Sequence, residues 1–151
     1  MASLIPFQTL NGLTVGYVMH CLEDLIFPPE NFSKDTFLTI SLMLVGAGGA
    51  IGAYSAGYLS DRLSSKKVFY VGVGVCLASF ILGMIVLNSE NELLSLFASV
   101  LSGFGMMYTN SMLVVMCSKY YEGSMMVFGT NRQIINLAFF IYSLTINVIS
   151  P

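Results

Sequence analysis

Residues 37–59 read FLTISLMLVGAGGAIGAYSAGYL, a run without one charged side chain. A helix that crosses the bilayer core needs about 20 apolar residues, because lipid offers no partners for backbone N–H and C=O groups and the helix must satisfy them itself. The run is therefore predicted to be a transmembrane helix. Small residues lie on several of its faces and let neighbouring helices approach closely, either as generic packing or as packing that slides during a transport cycle. They are Gly46, Gly48, Gly49, Ala50, Gly52, Ala53, Ala56 and Gly57.

The rest of the chain has the same character. Of its 151 residues, 56% are hydrophobic and 9% are charged, whereas about 25% of residues are charged in a typical soluble domain. This composition excludes an ordinary soluble globular protein. Four more apolar spans are predicted, at about 4–27, 68–87, 93–118 and 132–149. We therefore expect an all-α membrane protein in which residues 1–151 form a single bundle of about five transmembrane helices.

Charge, cysteine spacing and motif content exclude several functions. The net charge is −2 and no basic cluster exceeds two adjacent residues, so little is available to neutralise phosphates and no nucleic-acid binding is expected. Cys21, Cys76 and Cys117 lie far apart in apolar stretches, which favours buried thiols over a metal site. The sequence contains no Gly-rich phosphate loop, zinc motif or catalytic triad. We therefore expect neither enzymatic activity nor a cofactor, and the lipid bilayer is the first expected partner.

The basic residues segregate by side of the membrane. With the predicted spans, five of the six basic residues face the same side as the N-terminus, and only Lys34 faces the other. The positive-inside rule then predicts a multi-pass protein with a cytoplasmic N-terminus, which we expect in the plasma membrane. The sequence Asn31-Phe32-Ser33 falls on the outer side, which makes Asn31 a candidate for glycosylation. The five inner basic residues are Arg62, Lys66, Lys67, Lys119 and Arg132.

A motif stands at the inner end of the second span, where residues 57–67 read GYLSDRLSSKK. It resembles the G-x-x-x-D-R-x-G-R-[RK] signature of the major facilitator superfamily, although Ser64-Ser65 replaces the usual Gly and Arg. The resemblance implies a charged latch that holds one conformation and releases it. The alternative is a solvated loop whose charges only set the topology. The matching residues, and so the candidate latch, are Gly57, Asp61, Arg62 and Lys66.

The first span resembles a narrower group, the sugar porters of that superfamily. Residues 10–17, LNGLTVGY, are similar to the family's first helix, with Gly12, Gly16 and Tyr17 in register. Proton-coupled sugar porters commonly carry Asp at the next position, where this chain has Val18. Because valine takes up no proton, the departure favours facilitated diffusion over proton symport.

Candidate substrate contacts follow from the fifth span. Residues 129–133, GTNRQ, resemble the G-T-x-x-Q start of the fifth sugar-porter helix, which implies that Gln133 contacts sugar. Asn136 lies three residues further on the same helix face, and Asn110 and Thr14 could add partners from other spans. Intramembrane amides and hydroxyls also bridge neighbouring helices, so simple packing is the alternative for each residue.

The resemblance as a whole implies transport of a hexose-like sugar by alternating access. Transporters of this superfamily hold substrate between two helical bundles, so the chain is expected to be an N-terminal fragment, a split product or a degenerate relative. Its expected partners are a sugar substrate and a C-terminal helical bundle from the same gene or a separate chain. A nutrient sensor, a helix-binding scaffold and a major facilitator carrier of a non-sugar solute remain open as alternatives.

Overall fold

The computed structural model describes residues 5–22, 24–29, 31–120 and 125–149. Within them every regular element is an α-helix, which confirms the all-α class and the five helices expected from the sequence. Three helical stretches are long and apolar enough to cross a membrane: Lys34–Arg62, Lys67–Ser89 and Glu92–Lys119. The helices are α1 (Ile5–Cys21), α2 (Lys34–Arg62), α3 (Ser65–Ser89), α4 (Glu92–Tyr120) and α5 (Met125–Ile149).

The largest differences from the predicted spans are in α1 and α5. The first helix ends at Cys21 rather than near residue 27, and Leu25 and Ile26 are buried outside any helix. The fifth helix begins at Met125 rather than near residue 132. Arg132 interrupts the apolar run there without interrupting the helix, because arginine is a good helix former. The basic side chain therefore lies inside α5 and not at its start.

Local polar side chains define the remaining helix ends. Ser33 caps α2, its hydroxyl accepting a hydrogen bond of 3.2 Å from the Thr36 amide. Asn91 accepts from the amides of Leu93 and Leu94, at 3.0 and 3.2 Å, and so starts α4. Short connections join α2 to α3 and α3 to α4, so consecutive helices of this group run antiparallel.

Glycines bring α2 and α4 into backbone contact. A Cβ added at Gly48 would meet the carbonyl oxygen of Val100, and one added at Gly52 would meet that of Phe104. The contact is reciprocal, because a Cβ at Gly103 of α4 would meet the Val45 carbonyl of α2. Without side chains at these positions, two parallel helices approach more closely than larger residues allow. Gly48 and Gly52 thus lie on the face of α2 that packs on α4, whereas a Cβ at Gly46 or Gly57 would meet nothing within 4 Å.

The first helix packs on α5 and is tied to α4. At Gly12 an added Cβ would lie 2.6 Å from the Ile135 carbonyl oxygen, so α1 and α5 are in backbone contact. The Ser95 hydroxyl, at the start of α4, donates a hydrogen bond of 2.6 Å to the carbonyl oxygen of Leu25, which follows the end of α1. Asn11, near the start of α1, contacts Thr109 in the second half of α4. These contacts set α1 antiparallel to α4.

Candidate functional site

A cavity of about 210 Å³ lies between α1, α4 and α5. Half of its lining side chains are polar, and the polar groups come from all three helices. The volume is below the roughly 300–1,000 Å³ of pockets for drug-sized ligands, so the cavity suits a small solute. The lining residues are Asn11, Val15, Met106, Met107, Asn110, Arg132, Ile135 and Asn136.

The cavity lies in the half of the bundle that contains the α2–α3 connection. At 1.5 Å per residue, Asn110 is about 15 Å from the last residue of α4, which ends on that side. Arg132 is about 10 Å along α5 from Met125. The polar groups therefore sit inside the length of the helices, where an unpaired polar group is costly in lipid and is retained only with a partner or a water-filled space.

Asn11 is fixed in place by α4. The Thr109 hydroxyl donates a hydrogen bond of 3.0 Å to Asn11 Oδ1, and both side chains are buried. The same hydroxyl lies 2.9 Å from the Gly105 carbonyl, which holds its oxygen against its own helix. Because Oδ1 accepts from Thr109, the Asn11 amide group has its NH₂ left for the cavity.

Asn110 and Asn136 face the cavity from α4 and α5. Asn110 is half-buried and Asn136 is exposed. Neither side chain has a hydrogen bond to any residue that the structure describes. Each amide carries two donor hydrogens and a carbonyl acceptor, so the pair offers a solute both kinds of partner from two sides.

Arg132 adds a positive charge to this lining. Its exposed guanidinium has no ion pair with any carboxylate in the described parts of the chain. No Asp or Glu among the described residues lines the cavity. Arg132 lies in the first half of α5 and lines the cavity. Charged side chains on membrane helices typically face a protein interior or a water-filled cavity in this way.

The remaining wall is apolar and deformable. Val15 and Ile135 supply branched side chains, and Met106 and Met107 supply flexible thioethers. Methionine adapts to irregular shapes because its side chain is unbranched and has three rotatable bonds. The cavity thus combines fixed polar groups with a wall that adjusts to the carbon skeleton of a solute.

The structure brings together two of the four predicted substrate residues, Asn110 and Asn136. Gln133 is exposed on α5 and is not among the cavity residues. Thr14 is buried, and its hydroxyl lies 3.8 Å from Cys76 Sγ, so it contacts α3.

Sequence reasoning missed two residues of the cavity. Asn11 belongs to the stretch that resembles the first sugar-porter helix, but we did not predict it to bind substrate, although an intramembrane amide is itself a signal. Arg132 was assigned to topology because α5 was predicted to begin there. A helix start at Met125 places the charge within α5 instead.

The predicted latch residues lie at the end of α2 and the start of α3. Arg62 Cζ is 4.3 Å from the centre of the Tyr58 ring, a cation–π contact. Asp61 is exposed, and among the described residues it has no ion pair. A Cβ at Gly57 would meet nothing within 4 Å. The Lys66 side chain lies outside the described residues.

Gln8 is a buried amide one turn before Asn11 on α1. Its side chain is 1% exposed, and neither its Nε2 nor its Oε1 has a hydrogen-bond partner among the described residues. Asn11 and Val15 follow at positions that share its helix face. The polar face of α1 that lines the cavity at Asn11 therefore continues to the buried side chain of Gln8, one turn closer to the start of the helix.

Comparison with known proteins gives one family. The sequence matches the family model of the Major Facilitator Superfamily over residues 3–147. No curated protein matches the chain, and no solved structure does.

Proposed function

The chain belongs to the major facilitator superfamily, a family of membrane transporters rather than enzymes, and on that premise we propose that it carries a small hydroxylated solute through the cavity between α1, α4 and α5. The observation that carries the proposal is the convergence of Asn11, Asn110 and Asn136 from three helices on one cavity of about 210 Å³. A hexose-like sugar is the first candidate substrate.

The side chains of the cavity suit a solute with many hydroxyl groups. Each hydroxyl both donates and accepts, and the amides of Asn110 and Asn136 do the same. A site built to pair such groups discriminates strongly, because a solute that lacks them leaves buried polar groups without partners. The methionine wall supports the less polar face of a sugar ring. The likeness of the first span to sugar porters supports the same class.

Alternating access needs a second bundle against which this one moves. We propose a C-terminal helical bundle as that partner, from the same gene or a separate chain. The face of α2 turned away from α4 suits it, because Met43 and Tyr54 are 72% and 75% exposed there. A Cβ at Gly46 or Gly57 would meet open space.

The latch would act at the α2–α3 connection. Arg62 is held over the Tyr58 ring, which leaves the Asp61 carboxylate exposed for a partner outside the described residues. We propose that Gly57, Asp61, Arg62 and Lys66 hold one conformation by charged contacts with the second bundle. Such contacts change the rate of cycling, because they lie outside the cavity and bind no solute.

For the membrane orientation we propose a cytoplasmic α2–α3 connection in the plasma membrane. Lys67 would then face the cytoplasm and Asn31 the outside. In a background without the native cysteines, Asn31→Cys should react with an impermeant thiol reagent in intact cells, and Lys67→Cys should react only after permeabilisation. Labelling of Lys67→Cys but not of Asn31→Cys in intact cells would contradict the proposed orientation.

Glycosylation gives an independent measure of the same orientation. Asn31 is exposed in the connection before α2, and we propose that it is glycosylated. Asn31→Gln should remove an electrophoretic shift that a glycosidase also removes. This change is cleaner than one at Ser33, which caps α2.

Solute uptake tests the proposed function directly. In the full-length protein reconstituted in liposomes, Asn110→Leu and Asn136→Leu should each weaken sugar uptake at least tenfold, because each leaves ligand hydroxyls unpaired. Asn88→Leu is the matched control, since Asn88 bonds only to the Met84 carbonyl of its own helix. Binding without uptake in the unchanged protein would favour a sensor, and equal losses in the control would contradict a role for this cavity.

A further inference from the structure

We propose that Arg132 makes this cavity selective for an anionic solute, a small polyhydroxylated compound that carries a carboxylate. The inference rests on the proposed transport function and narrows its substrate class from a neutral sugar to a hydroxylated acid. It is carried by one positive charge inside a cavity whose other lining groups are neutral.

The cavity has a positive charge that no described side chain balances. Arg132 is the only charged residue among the eight that line it. The sequences of α1 and α5 contain no Asp or Glu, and in α4 Glu92 lies at the far end, about 27 Å along the helix from Asn110. No described carboxylate pairs with the guanidinium. The cavity therefore has a net positive charge without a counter-ion from its own walls.

The hydrogen-bond balance points in the same direction. Guanidinium presents five N–H donors in a planar fork and no acceptor. The carbonyl oxygen of Asn11 already accepts from Thr109, and its NH₂ group adds two N–H donors. Arg132 thus offers donors alone and Asn11 adds an NH₂ group, and a group with only acceptors, such as a carboxylate, matches these donors. Arginine and carboxylate pair through two parallel hydrogen bonds, which also fixes the orientation of the solute.

The other two amides account for the hydroxyl groups. Asn136 lies four residues after Arg132 on the same face of α5, and Asn110 faces it from α4. A carboxylate on Arg132 would place the adjacent carbons and their hydroxyls against these amides. The volume of about 210 Å³ suits a solute of the size of a hexose or smaller.

The cost of the arginine supports a functional role. A charged residue within a membrane span destabilises the protein unless it reaches water or a counter-charge. A neutral residue at position 132 would avoid this cost if the cavity bound only neutral sugars. A bound carboxylate would balance the charge of the Arg132 guanidinium.

The test compares acids with their neutral counterparts. The full-length protein, in nanodiscs of phosphatidylcholine at fixed ionic strength, is titrated with gluconate and glucose and with glycerate and glycerol. We expect each acid to bind at least tenfold more tightly than its neutral partner. Arg132→Gln should abolish this preference, and Arg132→Lys should keep part of it, because lysine retains the charge but not the fork.

Two further variants protect the result against simple misfolding. Asn136→Asp places a carboxylate four residues from Arg132, where it occupies the guanidinium. It should weaken the binding of each acid more than the binding of its neutral partner, and so remove the preference for acids. Lys119→Gln removes the same charge from an exposed site at the end of α4, outside the cavity, and should leave the preference unchanged.

Each alternative outcome has its own signature. Tight binding of glucose and glycerol that is unchanged in Arg132→Gln would overturn the anionic class while the proposed transport function stands. Binding of none of the four probes would contradict the proposed function of the cavity, and the inference with it. In a separate experiment, phosphatidylglycerol is added to the nanodiscs to test whether a lipid headgroup occupies the cavity. If it displaces gluconate from the unchanged protein but no longer binds to Arg132→Gln, the occupant is a lipid headgroup and the solute proposal is overturned.

Discussion

Thr109 of α4 donates a hydrogen bond of 3.0 Å to Asn11 of α1, and this bond joins the two helices beside the cavity. Thr109 and Asn11 are 0% and 1% exposed. The bond satisfies the amide oxygen and orients the NH₂ group, so the chemistry that Asn11 presents to a solute is set by a residue that does not line the cavity itself.

Thr109→Val should therefore affect both stability and binding. Valine has nearly the shape of threonine but leaves Asn11 Oδ1 without its donor, at a cost of about 1–3 kcal/mol. We expect a lower melting temperature of the purified protein and weaker solute binding. Thr145→Val is the control, because that exposed hydroxyl bonds only to Ile141 of its own helix. Equal effects in the two variants would show that the interhelical bond is not needed.

Asp61→Asn should slow transport far more than it weakens binding. The carboxylate is exposed at the end of α2, away from the cavity residues, so its loss changes a conformational contact and not the solute site. Uptake rates and equilibrium binding, measured on the same preparation, separate the two effects. Asp35→Asn removes an exposed carboxylate at the other end of α2 and should leave the uptake rate nearly unchanged. A large loss of affinity with an unchanged maximal rate would contradict the latch.

The sequence predicted the fold class well, because one physical requirement dominates it. Backbone groups in lipid must be satisfied within the helix, so long uncharged runs such as 37–59 have few alternatives. It predicted the site less well, because hydropathy treats Arg132 as a boundary, whereas the helix continues through it from Met125. Thr14 and Asn11 lie in one short stretch, and only the packing of α1 decides that Asn11 faces the cavity while Thr14 contacts α3.

Glycine substitutions in α2 should have opposite effects on its two sides. Gly52→Ala places a methyl group against the Phe104 carbonyl, so α2 and α4 must separate, and such overpacking costs about 1–3 kcal/mol. In residues 1–151 produced without a second bundle, Gly46→Ala meets open space and should be neutral or stabilising by about 0.5–1 kcal/mol, since alanine favours the helix. Thermal unfolding of both variants measures the difference. A stable Gly52→Ala protein would show that the two helices do not need this contact distance.

Gln8 places a buried amide next to the polar face of the cavity on α1. Its Nε2 and Oε1 are buried without partners, and each such group costs about 1–3 kcal/mol. Gln8→Met keeps a side chain of similar length and flexibility and removes both polar atoms. We therefore expect a higher melting temperature.

Gln8→Met should slow transport even though it stabilises the protein. In the proposed alternating-access cycle we expect water to reach the Gln8 amide in a second conformation and to satisfy it there. Gln8→Met would then stabilise the packed conformation relative to the hydrated one, and a change that favours one of two states shifts their populations. We expect slower uptake with nearly unchanged solute affinity, since Gln8 does not line the cavity.

Gln133→Met is the matched control, because that glutamine is exposed and the same change there should not raise the melting temperature. A Gln8→Met protein that melts at a lower temperature than the unchanged protein would show that the amide is hydrogen-bonded after all.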